Sequence, residues 1–357
     1  MCQPAGAGAV HVTPVPGGHS AAGVKSSTTI LGAVGGNAHT VRIRERLWRL
    51  RPPWLACWSS RMGKDPAVPR IALVTYDPRP EPSKDADLPV LVAALREAGA
   101  DAQAVFWDDA DVDWAGYDLA VIRSTWDYSW RAAEFVAWAQ RCGKATRLAN
   151  PAEVVRWNTD KRYLGELAEA GVPVVPTRYL APGDPADLPD DHEYVVKPTS
   201  GAGARYAARY TPGQHESAVR QLERMHAEGL TAMVQPYMRG IDAAGERALQ
   251  FFGGRLLHAS RKRAVLAPGT AFDAAKVAHP GLEPWTPTPA EQAVAERALA
   301  AVPDAPELLY ARVDLVDGED GQPRVMELEL VEPNLFLFLH PGSLRPVVEA
   351  VLAAAGR

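Results

Sequence analysis

Glu327 and Glu329 stand two residues apart in the run VMELELVEPN (325–334). In an extended chain that spacing puts both carboxylates on one face and Leu328 and Leu330 on the other. The run YARVDLVDG (310–318) carries Arg312 and Asp314 with the same alternation, and the intervening DGEDGQP reads as a hairpin connection. Turning about Glu319–Gly321 predicts Asp314 opposite Glu327 and Arg312 opposite Glu329. Three acids and one arginine then share one patch of sheet. Three close carboxylates in a largely apolar hairpin do not stay ionised without cations. Hard oxygen ligands suit Mg²⁺, which borrows its remaining ligands from phosphate oxygens.

A second group of residues offers the phosphate side. In EYVVKPTSGAGARY (193–206) Lys197 ends a β-rich run and is followed by Ser200, Gly201 and Gly203. Small residues let backbone N–H groups approach an anion, and a lysine beside them adds a point charge. Glycines alone mostly mark turns, and neither GxxxxGK[ST] nor a GxGxxG after the first strand occurs. Lys161 in WNTDK falls at a helix start, where the helix dipole favours an acid; taken alone it reads as a solvated surface residue. The cluster RKR (261–263) ends a hairpin that begins at Glu246 and turns at Gly253–Gly254. Alternation puts Arg261 and Arg263 on one face and Lys262 on the other, predicting a cationic hairpin with Arg261 and Lys262 as catalytic candidates. Acids, bases and a glycine loop converge on a nucleoside triphosphate. A glycosidase also uses two carboxylates, but has no use for Lys161, Lys197 and Arg312 around them.

These residues need a scaffold, and 357 residues suffice for two or three domains with real cores. IALVTYD (71–77), AQAVFW and DLAVIRS (118–124) are strands alternating with the helical patterns LPVLVAALREAGA and RAAEFVAWAQRC. That alternation predicts a Rossmann-like parallel sheet, with ligands gathering beyond its carboxyl ends, where Asp77 and RSTWDYSW (123–130) fall. Arg123, Ser124, Asp127 and Tyr128 are the substrate-contact candidates there. A helix is predicted over NTDKRYLGELAEAG, capped by Asn158 or Thr159 and stopped at Gly171. Strands follow in VPVVPTRYL, EYVVKPTS and AMVQPYM with a helix in HESAVRQLERMHAEG. The helices AEQAVAERALAAV and SLRPVVEAVLAAAG flank the acidic hairpin.

The bulk numbers exclude several classes. A net charge of −5 argues against nucleic acid as the main partner, and no run approaches the roughly 18 apolar residues of a membrane span. Cys2, Cys57 and Cys142 lack CxxC spacing, so they read as reduced thiols of a cytoplasmic protein, without a structural zinc site. Residues 1–61 hold seven basic residues and one acid, an abrupt change from the acidic remainder. They read as an upstream extension, with Met62 as the working N-terminus.

Taken in order from about Ile71 to the end, these segments resemble the ATP-grasp superfamily. The resemblance implies an α/β chain with an α+β lid: an extension (1–66), a Rossmann-like pre-ATP-grasp domain (67–158), a lid with its linker (159–237), and a C-terminal subdomain with the metal site (238–357). It implies that Lys161, Lys197 and Ser200–Gly203 hold phosphates, that Gln235, Pro236 and Tyr237 line the adenine through their backbone, and that Glu246 is an acid on the nucleotide side. Asp314, Glu327 and Glu329 would bind two Mg²⁺, and Arg312 would meet the transferred phosphoryl group. Many ATP-grasp enzymes end the metal motif in Glu-x-Asn, whereas here it is Glu-x-Glu with Asn334 further on; Glu329 or Asn334 completes the site, and the spacing favours Glu329. VIRSTWDY, NPAEVVRWNTDKRYL, GVPVVPT and MELELVEPNLFL are similar to the branch of the D-cycloserine-forming cyclo-ligase. That branch implies activation of a carboxylate as an acylphosphate for attack by an amine, on a small amino-acid-like substrate, within one molecule or between two as in glutathione synthetase. A non-catalytic nucleotide-binding module is the alternative, and the oligomeric state, a homodimer included, stays open.

Overall fold

The computed structural model describes residues 68–77, 85–273, 281–304 and 306–356. The expected extension 1–66, with Cys2 and Cys57, lies outside them. Residues Met62–Arg357 belong to one compact unit.

Four parallel strands form the first sheet: β1 (Arg70–Thr75), β2 (Asp101–Phe106), β3 (Leu119–Ile122) and β4 (Leu148–Ala149), in the order β2-β1-β3-β4. β3 is buried along its whole length and β1 beyond Arg70, as expected of a parallel sheet covered on both faces. Helix α1 (Asp87–Glu97) packs its Leu88, Leu91 and Leu95 against Ile71 and Leu73 on one face, while α2 (Ala132–Ala145) packs Phe135 and Trp138 against Ala72 and Val74 on the other. The C-terminal helix, α8 (Leu344–Ala355), returns to join the α1 side through Val347, Val348 and Val351.

The helix expected after Asn158 is two short ones. α3 (Ala152–Asn158) ends where the expected helix was to begin, and α4 (Tyr163–Glu169) starts five residues later. Asn158 is no helix cap. Its amide donates to the Leu328 carbonyl at 2.7 Å and accepts from the Leu330 N–H at 2.7 Å. It thus satisfies the outer edge of a sheet. Asn158→Ala would orphan both backbone groups, each at about 1–3 kcal/mol, so we expect urea unfolding to show a loss of about 2–6 kcal/mol.

The second sheet is antiparallel, with β5 (Arg178–Leu180), β6 (Tyr194–Pro198), β7 (Ala208–Tyr210) and β8 (Ala232–Pro236) in the order β5-β8-β6-β7. Of VPVVPTRYL only the last three residues form a regular strand, and β7 was not foreseen. Helix α5 (His215–Ala227) covers one face through Ala218, Leu222 and Met225, against Tyr194, Val196 and Val234. Lys197 and Gln235 alternate to the other face.

The third sheet holds β9 (Glu246–Phe252), β10 (Arg255–Lys262), β11 (Glu283–Trp285), β12 (Tyr310–Asp317) and β13 (Pro323–Glu329), ordered β11-β10-β9-β12-β13, all antiparallel. Between β8 and β9 lies α6 (Gly240–Ala244). Helix α7 (Pro289–Ala300), opened by a Thr288–Glu291 capping box, packs Val294, Ala295 and Ala298 against Leu249, Phe251, Val313, Leu315 and Leu328. This apolar face fixes which residues of β9, β10, β12 and β13 face the opposite way. They are Glu246, Ala248 and Gln250 on β9, Lys262 on β10, Arg312 and Asp314 on β12, and Glu327 and Glu329 on β13.

Candidate active site

The β12–β13 hairpin has the register expected from sequence, Arg312 opposite Glu329 and Asp314 opposite Glu327. A bulge makes it so. Near the turn Asp317 pairs with Pro323 and Leu315 with Val325, and without interruption that ladder would bring Met326 opposite Asp314. Met326 is the extra residue, and the shift turns both glutamates onto the face of Asp314. Carboxylate oxygens of Asp314, Glu327 and Glu329 lie within 4.8 Å of one another. An all-oxygen acidic set that tight fits a hard divalent cation. The Asn334 backbone carbonyl accepts from Gln250 Nε2 at 2.5 Å.

Asp314 is 1 % exposed and Arg312 2 %. The Arg312 guanidinium grips Asp314 through Nε at 2.8 Å and Nη2 at 2.7 Å, and also bonds Glu329. Lys262 Nζ bridges Asp314 at 2.7 Å and Glu246 at 2.5 Å. Burial raises the Asp314 pKa, but Arg312 and Lys262 overcome it and hold the carboxyl well below its usual range. Burial also raises Glu327, and Lys161 and Lys197 outweigh it, so this acid too lies below its ordinary value. Glu329 differs: burial, with Asp314 and Glu327 nearby, pushes it up to about 8 against the pull of Arg312. Glu246 is pushed up to about 7 by burial despite Lys262.

Lys161 is not the solvated surface residue that its position suggested. It is 7 % exposed, its Nζ lies 3.2 Å from Glu327 and donates to the Gly201 carbonyl at 2.7 Å, and its N–H donates to the Thr199 carbonyl at 2.8 Å. Ser200 Oγ donates to the Thr159 carbonyl at 2.9 Å, so the glycine loop is fastened to the turn between α3 and α4. Gly203 sits at φ +62°, in the left-handed region that glycine enters without strain. Two residues on, Arg205 reaches the Ser129 carbonyl at 3.1 Å and stacks on Trp130 at 4.8 Å, tying this loop to the first sheet's segment 123–130. Lys197 has no carboxylate within 4.0 Å of its ammonium among the described residues. Burial depresses its pKa, and the nearby Lys161 adds to this. Gln235 Nε2 donates to Thr177 Oγ1 at 2.9 Å, Pro236 pairs with Tyr194, and the Tyr237 ring lies under Arg209 at 3.5 Å.

Several sequence candidates point elsewhere. Arg261 alternates away from the acids, bonds Glu283 on the edge strand β11 and stacks on Trp285 at 5.3 Å, so of the RKR cluster Lys262 is the member that reaches them. Ser124 is spent on a 2.9 Å bond with Thr75 that ties β3 to β1. Asp127 accepts from Trp107 Nε1 at 3.0 Å and pairs with Arg131. Arg123 does reach the segment after β13. Arg123 Nη2 donates to the Pro333 carbonyl at 3.1 Å, while its Nε and Nη1, fully buried, have no hydrogen-bond partner among the described residues. Tyr128 is buried in the core of the first sheet, stacked on Phe135 at 5.2 Å, where burial and the nearby Glu332 charge raise its pKa. Glu332 escaped the sequence reading, although an acid directly before Pro333 in an apolar run was a signal.

A five-stranded antiparallel sheet carrying paired acids, a smaller antiparallel sheet presenting a lysine and a glycine loop, and a parallel Rossmann-like sheet together define an ATP-grasp ligase. Residues 71–150 match the family described as D-cycloserine synthetase DcsG, N-terminal domain. The chain is 41% identical over 280 residues to the cycloserine biosynthesis protein DcsG of Streptomyces lavendulae, covering 73% of this chain and 91% of that protein. The crystal structure of D-cycloserine synthetase DcsG superposes with a TM-score of 0.71 at 37% identity, over 80% of this chain and 99% of that one. D-alanine–D-alanine ligase from Bacillus anthracis shares the fold, with a TM-score of 0.59 at 16% identity over 81% and 97% of the two chains. The chain belongs to the D-cycloserine synthetase DcsG family of ATP-grasp ligases. It is an ATP-dependent carbon–nitrogen ligase that joins a carboxylate to an amine, and no helix among the described residues is long and apolar enough to cross a membrane.

Proposed function

We propose that this chain activates the carboxylate of a small amino-acid-like substrate as an acylphosphate and closes it into a ring, the reaction type of a D-cycloserine synthetase. The observation that carries the reading is the oxygen cluster of Asp314, Glu327 and Glu329 within 4.8 Å, flanked by Lys197 with no carboxylate of its own in range. The three acids would hold Mg²⁺, which when bound neutralises charge on the phosphoryl group being transferred. Lys161, Lys197 and the Ser200–Gly203 loop would hold the phosphates, and the backbone of Gln235–Tyr237 the adenine. Arg312, fixed in orientation by Asp314, stabilises the developing oxyanion. The Arg205–Ser129 and Arg205–Trp130 contacts help keep water from the acylphosphate. A cytoplasmic enzyme of antibiotic biosynthesis fits this reading.

The test is release of ADP and phosphate from ATP and Mg²⁺ across a panel of amino acids that includes O-ureido-D-serine, with mass spectrometry of each product. Ring closure is expected to give ADP, phosphate and a product lighter than its acid. A product heavier than its acid would make the enzyme an intermolecular ligase, and ATP binding without any turnover would favour a nucleotide-binding module.

A further inference from the structure

The irregular segment after β13 is fastened almost residue by residue. Trp126 Nε1 donates to the Glu332 carbonyl at 3.4 Å, Arg123 Nη2 to the Pro333 carbonyl at 3.1 Å, Gln250 Nε2 to the Asn334 carbonyl at 2.5 Å, and His258 Nε2 to the Leu335 carbonyl at 2.7 Å. Asp87 accepts from the N–H groups of Leu337 and Phe338 at 3.1 and 3.2 Å. The segment closes in one helical turn, where the His340 N–H donates to the Phe336 and Leu337 carbonyls at 3.2 and 3.1 Å. Residues four apart share a side of such a turn. The Phe336 ring lies 5.6 Å from the Arg312 guanidinium, and His340 stacks on His258 with ring centroids 4.0 Å apart and planes at 17°. His258, Gln250 and Arg312 form one cross-strand row on the acid-bearing face, and Ser260, Ala248 and Asp314 the next. The turn thus runs across the sheet from Arg312 to the two imidazoles, two strands or about 10 Å away.

The two rings are not equivalent. A carbonyl only accepts, so His258 carries its proton on Nε2, and its Nδ1 accepts from Ser343 Oγ at 2.9 Å. Both of its nitrogens are spent, and burial, with His340 beside it, lowers its pKa to about 4. His258 is a flat, neutral platform. His340 spends only Nε2, on Ser260 Oγ at 2.9 Å. Its Nδ1 has no hydrogen-bond partner among the described residues and is not sealed from solvent. Burial lowers the His340 pKa below the ordinary histidine value, so the ring is neutral near pH 7 and can accept a proton.

We propose that His340 Nδ1 takes the proton of the attacking nitrogen as the ring closes, with Ser260 and His258 as positioning residues that hold the imidazole. The inference rests on the ligase reading above and adds the base that reading lacks. The nitrogen bonds to the acyl carbon, the bond from that carbon to the phosphate oxygen breaks, and phosphate leaves with the electron pair. The proton passes from nitrogen to Nδ1 and then to solvent. Ser260 Oγ accepts from Nε2–H and so keeps the lone pair on Nδ1. The acids of the metal cluster are committed elsewhere, Asp314 and Glu329 to Arg312 and Glu327 to Lys161.

The experiment separates the two half-reactions. Wild type and His340→Gln receive ATP, Mg²⁺ and O-ureido-D-serine, with and without hydroxylamine, which captures an acylphosphate as a hydroxamate. His340 has no part in phosphoryl transfer, so hydroxamate formation by the variant should stay within about twofold of wild type while ring closure falls on the order of 10²-fold. In wild type the kcat for ring closure should fall as pH drops through the His340 pKa, because the protonated ring cannot accept, and in His340→Gln this limb should vanish. Gln250, Ser260 and Ser343 beside the imidazoles do not titrate in this range, and Lys262 and Glu246, next along the same face, pair with each other.

Hydroxamate from both enzymes with equal ring closure would hand the proton to the departing phosphate and overturn the base alone. No hydroxamate from wild type would sink the ligase reading and the base with it. Should His340→Gln not fold, Ser260→Ala carries the test: a loss of about tenfold in ring closure alone, with KM unchanged, supports the base. An equal loss of hydroxamate and ring product there would make the contact structural and overturn it.

Discussion

Replacing Lys197 with methionine is expected to abolish turnover while leaving the unliganded protein as stable as wild type, or more so. The side chain lies on the face of β6 opposite the core of its own sheet, since Tyr194 and Val196 fill that core. The side chain is half-buried with no carboxylate within 4.0 Å of its ammonium among the described residues, and burial and the charge of Lys161 outweigh the pull of the more distant Glu327. Such a cation costs folding energy that is recovered only when an anion arrives. Methionine keeps the length of the stem and drops the charge. Phosphate release should therefore fall by on the order of 10³. Thermal unfolding without ligand should stay level or rise, and the stabilisation conferred by ATP should shrink. Undiminished turnover would remove Lys197 from the phosphate site, and a fall in unliganded stability would make its charge structural.

The sequence made the acid patch legible because alternation is a local rule. Glu327, Glu329, Arg312 and Asp314 each declare their face by their apolar neighbours, and one hairpin brings the two runs together. The parallel first sheet was legible for a similar reason, β3 being apolar along its length. What failed depended on contacts distant in the chain. Asn158 reads locally as a helix cap, yet its partners are Leu328 and Leu330, 170 and 172 residues away. In RKR, alternation gives two faces without saying which one meets the acids. That was decided by α7 packing on Leu249 and Val313, which leaves Lys262 on the acid side and Arg261 on β11. In RSTWDYSW four polar residues look alike, and only tertiary structure assigns Ser124 to Thr75, Asp127 to Trp107, Arg123 to the segment after β13 and Tyr128 to the core beside Phe135. Glu332 went unnoticed because it follows the end of the alternating strand.

Glu327 and Glu329 share a face and a strand, yet their replacement should have unequal effects. Glu327 is held ionised by Lys161 and Lys197 against the cost of burial, so its charge is available to a cation. Glu329 is raised to about 8 by burial and already shares Arg312 with Asp314. Glu327→Gln should therefore lower turnover by on the order of 10³ at ordinary Mg²⁺, with part of the loss restored as Mg²⁺ is raised. Glu329→Asn writes the Glu-x-Asn ending of many ATP-grasp enzymes into this chain and keeps an oxygen at the position. It should retain turnover within about tenfold, whereas Glu329→Leu, which offers no oxygen, should fall to the level of Glu327→Gln. Steady-state phosphate release against Mg²⁺ concentration separates the three. Equal losses in Glu329→Asn and Glu329→Leu would mean that the charge of Glu329, through its bond to Arg312, matters more than its oxygen. A Glu327→Gln enzyme with an unchanged Mg²⁺ requirement would move the metal away from this hairpin. Both outcomes bear on the bulge at Met326, because it is the one-residue shift there that puts the two glutamates on the side of Asp314.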